Sequence, residues 1–414
     1  MRNMGATELY LGILLFCTFA AFVKKVNVLG LVLFFIYDII AFVAVYSIKQ
    51  GIIDSDGITI IPYLFLCLTY LLFFSPFFKR KNQCTAKKIA FKTDIKIKII
   101  AIIYIICAVI AILCYLPNVI QLINSGDWAM NRYNLYQDVS AVPYSNRIQF
   151  LSMQIAGYLR TLALIIGFTL LRSIKNRKYD LKDKKYDKIL GYCTLGAAIC
   201  YTIISAMYTS ARGTIFNVCF FVMALYLFYY SEIEENRRRF ISIVAILSLI
   251  AIIPYFMQVT VSRFTGNQAG NSILLYFSQP PTVFNKHIFK LPKYAWGNFG
   301  IGSLFGTNFT EASVGGNWKT GFYTFVGWLF IDWGPIGVLV IGLMICLIIN
   351  KIIKKREYQI ADIFFIMSYY QILTSGVFVI GRTYIYTLIG NLVIYLFLKS
   401  FVENKTYIFG KIKF

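Results

Sequence analysis

Residues 323–337 read YTFVGWLFIDWGPIG, and this stretch returns the chain to an apolar helix after a long polar segment. The segment before it, residues 260–321, is rich in glycine and aromatic side chains, and its charged or titratable residues include Arg263, His287, Glu311 and Lys319. Most of the remaining sequence consists of hydrophobic runs. Because binding and catalytic residues concentrate in connecting segments held by a rigid scaffold, we expect the function to lie in residues 260–337.

The composition predicts a polytopic membrane protein. Hydrophobic residues make up 58% of the chain and charged residues 14%, with a mean hydropathy of +0.67, which is too apolar for a soluble core. The formal net charge is +23, but the basic residues lie between apolar runs, so we expect no nucleic-acid partner. The nine cysteines lie in apolar runs or predicted cytoplasmic loops, and we expect no disulfide framework, metal or cofactor.

Hydrophobic runs long enough to span a bilayer predict about eleven transmembrane helices in a single membrane domain, residues 1–414. They lie near residues 6–23, 27–48, 59–78, 97–117, 150–171, 189–208, 214–230, 240–259, 322–349, 361–380 and 383–399. The first run has no basic leader or cleavage site, so it is predicted to be retained. Most lysines and arginines fall in alternate connections and in the C-terminal tail, which the positive-inside rule makes cytoplasmic. The N-terminus and two long segments, residues 118–149 and 260–321, are therefore predicted to face outward.

Arginines on the predicted outer side are informative, because the positive-inside bias works against them. Three of them lie within about a turn of a predicted helix end, the depth of a lipid phosphate. A guanidinium can pair two phosphate oxygens at once, so these side chains are candidates for binding a lipid diphosphate. Snorkelling of each single arginine to headgroups is the simpler alternative. The candidates are Arg212, Arg263 and Arg382 at helix ends, with Arg132 in the first outer segment.

Three charged residues lie well inside predicted spans: Arg160, Asp38 and Asp332. Charges at that depth need partners, so an ion pair of Arg160 with Asp38 or Asp332 that fixes helix packing is as good an explanation as catalysis. Asp332 is the more interesting carboxylate, because it directly follows the long outer segment. His287 is the only histidine, and histidine is the usual general base near neutral pH, although a single loop histidine is more often incidental.

All five tryptophans fall in the predicted outer segments or the outer half of the ninth span. Interfacial anchoring explains part of this distribution. Three of them lie in polar loop sequence, where flat apolar rings would also suit sugar rings. These candidates for glycan binding are Trp128, Trp296 and Trp318.

The layout of spans around one dominant outer loop, the Ser210-Ala211-Arg212-Gly213 turn, and Tyr323-Thr324 followed by Asp332-Trp333-Gly334 resemble the oligosaccharide repeat-unit polymerases of the Wzy type. The resemblance covers most of the chain in layout and about thirty residues in motif. It implies an all-α, GT-C-like membrane glycosyltransferase in the bacterial inner membrane. Such enzymes move a growing glycan from undecaprenyl diphosphate to the non-reducing end of the next lipid-linked repeat unit, as in O-antigen, capsule or lipopolysaccharide assembly.

The resemblance also implies roles for individual residues. Arg212, Arg263 and Arg382 would neutralise the departing diphosphate, and His287, Glu311 or Asp332 would accept the proton of the attacking hydroxyl. The partners implied are the undecaprenyl diphosphate-linked oligosaccharide, the lipid bilayer, and a chain-length regulator and flippase of the same pathway. No nucleotide or metal is required.

Three alternatives remain open from the sequence. An O-antigen ligase has a similar layout and transfers a finished chain. A lipid-linked oligosaccharide flippase or other transporter would favour charges lining the midplane and internal repeats, whereas the polar residues of this sequence are concentrated in one outer loop. An acyltransferase acting on surface glycans is disfavoured by the single histidine outside the helices.

Overall fold

In the computed structural model the chain is an all-helical, multi-pass membrane protein with eight helices long and apolar enough to cross a bilayer among the described residues. Those residues are 4–78, 84–89, 94–136, 144–172, 181–236, 238–239, 241–243, 271–307, 309–316, 323–377, 384–403, 408–409 and 412–413. The helices are α1 (Met4–Val23), α2 (Val28–Lys49), α3 (Ile60–Phe74), α4 (Ile95–Ser125), α5 (Trp128–Tyr136), α6 (Arg147–Tyr158), α7 (Arg160–Leu171), α8 (Leu181–Tyr208), α9 (Arg212–Tyr229), α10 (Ser272–Val283), α11 (Phe325–Ile353), α12 (Ile360–Ser375) and α13 (Tyr384–Phe397). Two short strands, β1 (Ile408–Phe409) and β2 (Ile412–Lys413), pair antiparallel.

The long apolar helices agree with the prediction of a multi-pass membrane protein, whereas the predicted number of eleven spans stays a prediction. Besides the eight long helices, α12 is a shorter apolar helix in the predicted tenth span. The predicted fifth span is a pair of helices, α6 and α7, bent by 63°. Arg160 is therefore the first residue of α7, beside the bend, and not a mid-helix residue as the sequence suggested. Most of the predicted span at 240–259 lies outside the described residues.

The chain forms two compact units, and the first contains residues 1–85, 270–356 and 369–392. In this unit α2 packs against α1 and α10, and α3 packs against α1 and α11. Its core is aromatic, and two of its buried tyrosines donate to backbone carbonyls: Tyr37 to that of Leu373 at 2.8 Å and Tyr370 to that of Leu29 at 3.1 Å. Such bonds let a large polar-tipped ring be buried at little cost.

The second unit contains residues 86–269, 357–368 and 393–414. Here α8 packs against α4, α7 and α9, and α4 also packs against α6. The crossing of α7 and α8 is close because Gly167 and Gly191 face each other; a Cβ on Gly191 would lie 3.2 Å from the Gly167 carbonyl oxygen. At one end, the buried Lys399 Nζ lies 3.3 Å from Asp362 Oδ1 and 2.6 Å from Glu403 Oε2.

Candidate functional site

The helix α11 is broken at Gly334 and Pro335, within the stretch that resembles the polymerase motif. Gly334 has φ 63° and ψ −172°, a conformation that only glycine adopts readily. In an unbroken helix the carbonyl of Ile331 would accept the N–H of residue 335, but proline has none. The N–H of Ala295 donates to that carbonyl instead, at 2.8 Å. The break therefore opens the helix to another segment of the chain.

Asp332 fastens that segment through both its backbone and its side chain. Its carbonyl accepts the N–H of Trp296 at 2.8 Å. Its carboxylate oxygens accept the N–H groups of Phe299, at 2.9 Å, and Gly300, at 2.8 Å. Only 3% of the residue is exposed, and hydrogen bonds to a buried carboxylate are stronger than those between neutral groups. We call residues 295–300 the anchored loop.

Gly300 is the residue of the anchored loop that sequence reasoning missed. A Cβ at this position would lie 2.8 Å from Asp332 Oδ2 and 3.1 Å from the Trp328 ring. The amide can approach the carboxylate this closely only because the residue has no side chain. The glycines at 297 and 300 were the available signal, but without the break in α11 their purpose could not be assigned.

Asp38 and Asp332, the two carboxylates well inside predicted spans, have hydrogen-bond partners among the described residues. Asp332 binds the amides of the anchored loop, so its observed task is structural, and its role as a proton acceptor stays a prediction. Asp38 accepts a hydrogen bond of 2.6 Å from the Thr18 hydroxyl. Among the described residues, these hydrogen bonds are present and the ion pair of Arg160 with Asp38 or Asp332 is not.

The anchored loop presents one aromatic ring to its surroundings. Trp296 is 70% exposed and has φ 51°, a left-handed conformation that costs a tryptophan about 1–2 kcal/mol. The hydrogen bond from its N–H to the Asp332 carbonyl helps to hold this strained backbone conformation. Strained residues are more frequent at functional sites than elsewhere in proteins. The ring is thus open to its surroundings, and its role in glycan binding stays a prediction.

The other two predicted glycan-binding tryptophans differ from this arrangement. Trp128, at the start of α5, is only 1% exposed and packs with Leu122 and Met207. No face of its ring is open to a sugar in this structure, so its evident role is in packing. Trp318 lies outside the described residues. Trp296 is therefore the one of these three tryptophans that is both described and exposed.

His287 lies in a π-helical turn, Phe284–Ile288, that continues α10. His287 is classed as exposed, although part of the imidazole is covered by the protein. This partial burial, followed by the positive charges of Lys286 and Lys290, lowers the pKa of His287 below the usual value. The side chain is therefore neutral at neutral pH, the form that a general base requires. Lys286 Nζ lies 3.8 Å from Asp54 Oδ2, and Lys290 donates to the Gly57 carbonyl, so both cations are fixed against the α2–α3 connection.

Glu311 begins a 3-10 turn, Glu311–Val314, and is partly exposed. Burial, followed by the negative charges of Glu311 and Asp332, raises the pKa of the Tyr323 hydroxyl. Both carboxylates therefore act on the same tyrosine. The next residue, Thr324, caps α11 by accepting the N–H of Gly327 at 3.4 Å. The Tyr323-Thr324 motif thus lies at the start of the helix that Asp332 joins to the anchored loop.

The predicted arginine cluster is largely outside the described residues. Arg263 and Arg382 fall in undescribed segments, and only the backbone is described for Arg132 and Arg212. Arg212 is the first residue of α9, which begins two residues before the span predicted at 214–230. In the second unit, Asn131 of α5 donates to the Tyr208 carbonyl at 2.8 Å and to the Ser210 hydroxyl at 3.0 Å, so α5 is attached to that turn. The diphosphate role of these arginines stays a prediction.

Within the part of the chain that the structure describes, no three or more His, Cys, Asp and Glu side chains form a group that could hold a metal ion. No protein-family model, curated protein or solved structure matches the chain.

Proposed function

We propose that the protein is a membrane glycosyltransferase, GT-C-like in class, that polymerises lipid-linked oligosaccharide repeat units on the outer face of a bacterial inner membrane. The observation that supports this most is the attachment of the anchored loop to α11, the helix that begins directly after Tyr323-Thr324 and contains Asp332-Trp333-Gly334. Thr324 caps α11, Asp332 in the same helix fastens the anchored loop, and that loop exposes Trp296. A rigid, strained platform with an open aromatic ring suits the positioning of a sugar acceptor or donor.

The reaction is a substitution at the anomeric carbon of the growing chain. A hydroxyl at the non-reducing end of the next repeat unit attacks that carbon, and a new C–O glycosidic bond forms. The C–O bond to undecaprenyl diphosphate breaks, and the electron pair leaves with the diphosphate. The hydroxyl proton passes to a base of the protein and then to water. The lipid diphosphate is the leaving group, so the energy of the step comes from the donor itself.

The residues divide into three tasks in this proposal. Arg212, Arg263 and Arg382 neutralise the departing diphosphate, an electrostatic contribution worth several kcal/mol in comparable sites. His287 accepts the proton, with Glu311 as the second candidate, because Asp332 is already bonded to the anchored loop. The glycan is positioned by Trp296 of the anchored loop and by Trp318, which lies outside the described residues. A chain-length regulator and a flippase of the same pathway are the expected protein partners.

The experiment is the length profile of surface glycan in a strain that lacks the gene, beside its extracted lipid-linked intermediates. Loss of the ladder with single repeat units retained supports a polymerase. Finished polymer left on undecaprenyl diphosphate identifies a ligase, and repeat units trapped on the cytoplasmic leaflet identify a flippase. Complementation with Arg263→Ala or Arg212→Ala should leave single units, whereas the matched control Arg356→Ala, an exposed residue on the predicted cytoplasmic side, should restore the ladder.

A further inference from the structure

A polar cavity lies in the second unit, just beyond the C-terminal end of α9. The apolar span Gly213–Glu232 ends here, on the side that the charge distribution predicts to be cytoplasmic. The cavity has a volume of about 500 Å³ and is open to the surroundings. It is lined by Tyr226, Tyr230, Glu235, Arg238, Arg239, Ser242 and Ile243. None of these side chains belongs to the proposed catalytic site.

The Arg238 side chain is positioned by a neighbouring tyrosine ring, but one of its N–H donors has no hydrogen-bond partner among the described residues. The carbon of its guanidinium lies 4.6 Å from the centre of the Tyr230 ring, a stacked cation–π contact that orients the planar group. Its Nε–H is buried and has no hydrogen-bond partner among the described residues. An unsatisfied donor on a charged group is costly, and an acceptor atom brought by a ligand would relieve that cost.

The rest of the lining adds donors and only one carboxylate. Arg239 donates to Glu235 at 2.9 Å, but both side chains are largely exposed, so this pair is weak and can exchange partners. The hydroxyls of Tyr226 and Ser242 lie 3.2 Å apart. With two guanidinium groups and one carboxylate, the lining carries a net positive charge. A compact anion with several acceptor oxygens complements it.

We propose that this cavity binds a phosphate group, supplied by the headgroup of an anionic phospholipid. The planar fork of Arg238 pairs two phosphate oxygens, Arg239 supplies a second cation, and the tyrosine ring keeps the fork facing the ligand. The position of the cavity at the end of a span places it at the level of the lipid phosphates. Inorganic phosphate has the same acceptor chemistry, and the experiment distinguishes the two sources.

The test uses the full chain purified in detergent, mixed with phosphatidylglycerol and phosphatidylcholine, and examined by native mass spectrometry. Wild-type protein should retain phosphatidylglycerol in preference to phosphatidylcholine. Arg238→Ala should weaken that retention about tenfold, as expected for the loss of a charge-assisted contact. Arg238→Lys should also lose most of it, since an ammonium keeps the charge but neither the fork nor the stacking. Arg239→Gln, a substitution at an exposed position outside the core, should show a smaller loss.

Arg356→Ala is the matched control, because it removes an exposed arginine from the same predicted side of the membrane. Equal loss in Arg356→Ala, or full retention in both Arg238→Ala and Arg239→Gln, would overturn the proposal. Competition with inorganic phosphate then assigns the source. Displacement of the lipid means that the site also takes the free ion, and retention of the lipid means that the headgroup and its chains are both recognised.

Discussion

Asp332→Ala is the substitution that most directly tests the architecture of the candidate site. The carboxylate accepts the N–H groups of Phe299 at 2.9 Å and Gly300 at 2.8 Å, and both donor residues are buried. A hydrogen bond to a charged group contributes about 1.5–3 kcal/mol, so the two together hold the loop by about 3–6 kcal/mol. The backbone bonds from Ala295 and Trp296 would remain. The loop should therefore open locally while the helices stay folded.

Hydrogen–deuterium exchange of the full protein in lipid nanodiscs measures this opening. Amides in the anchored loop exchange through local opening, and every 1.4 kcal/mol or so of lost stability raises the open population about tenfold. A loss of about 3 kcal/mol, the lower bound, should speed the exchange of residues 297–300 more than about a hundredfold. Asp332→Asn, which keeps one acceptor oxygen, should fall between wild type and Asp332→Ala.

Asp54→Ala provides the matched control for this prediction. Its carboxylate is 69% exposed and lies 3.8 Å from Lys286, so it has the same charge in the same unit but no contact with the anchored loop. Its removal should leave the exchange of residues 297–300 unchanged. If Asp332→Ala leaves the loop as protected as in wild type, the carboxylate is not the anchor and the reasoning is refuted.

Three further predictions concern single residues. Gly334→Ala should lower the thermal unfolding midpoint in detergent by an amount equivalent to more than about 2 kcal/mol, because a Cβ would meet the Tyr294 ring at 2.7 Å in a backbone conformation unsuited to alanine. Lys399→Met should cost about 3–5 kcal/mol in the same assay, since it leaves two buried carboxylates without their cation. The single histidine should give one imidazole NMR signal that titrates below the ordinary value of about 6.5, so its contribution to stability is present above that pH and is lost as the pH falls through the folded pKa.

Each of these has a control in the chain. Gly12→Ala adds a methyl group where no atom lies within 4 Å, and should not lower the midpoint. Arg239→Gln breaks an exposed ion pair and should leave the thermal midpoint nearly unchanged. Lys286→Gln should raise the pKa of His287 towards its ordinary value, because it removes a neighbouring positive charge. A histidine pKa at or above 6.5 in the wild type would contradict the described electrostatics.

The membrane helices could be predicted because the bilayer imposes a minimum length of apolar sequence. The helix α10 could not, because Ser278, Gln279, Pro280 and Pro281 suggest a loop. In the structure the hydroxyls of Ser278 and Thr282 donate to backbone carbonyls of α10 itself. These hydrogen bonds within the helix allow both polar side chains to be buried. The bend between α6 and α7 was also missed, since hydropathy is continuous across it.

The sequence could propose residues for the candidate site but not their arrangement. It singled out Asp332, His287 and Trp296, because a charge well inside a span, the single histidine and a tryptophan in a polar loop are each uncommon in such a chain. Their tasks depend on contacts that no local pattern encodes. Asp332 accepts hydrogen bonds from amides more than thirty positions away in the sequence. Pro335 predicts that the carbonyl of Ile331 loses its helical donor, but the sequence does not predict that Ala295 replaces that donor.

The central claim, that the chain polymerises lipid-linked repeat units, is tested most directly with the purified protein in liposomes. The only other component is the undecaprenyl diphosphate-linked single repeat unit from the source strain. We predict a ladder of longer lipid-linked glycans, with release of undecaprenyl diphosphate, in the absence of nucleotide sugars and added metal. Unextended single units, under conditions where the protein is folded and correctly inserted, would contradict the claim.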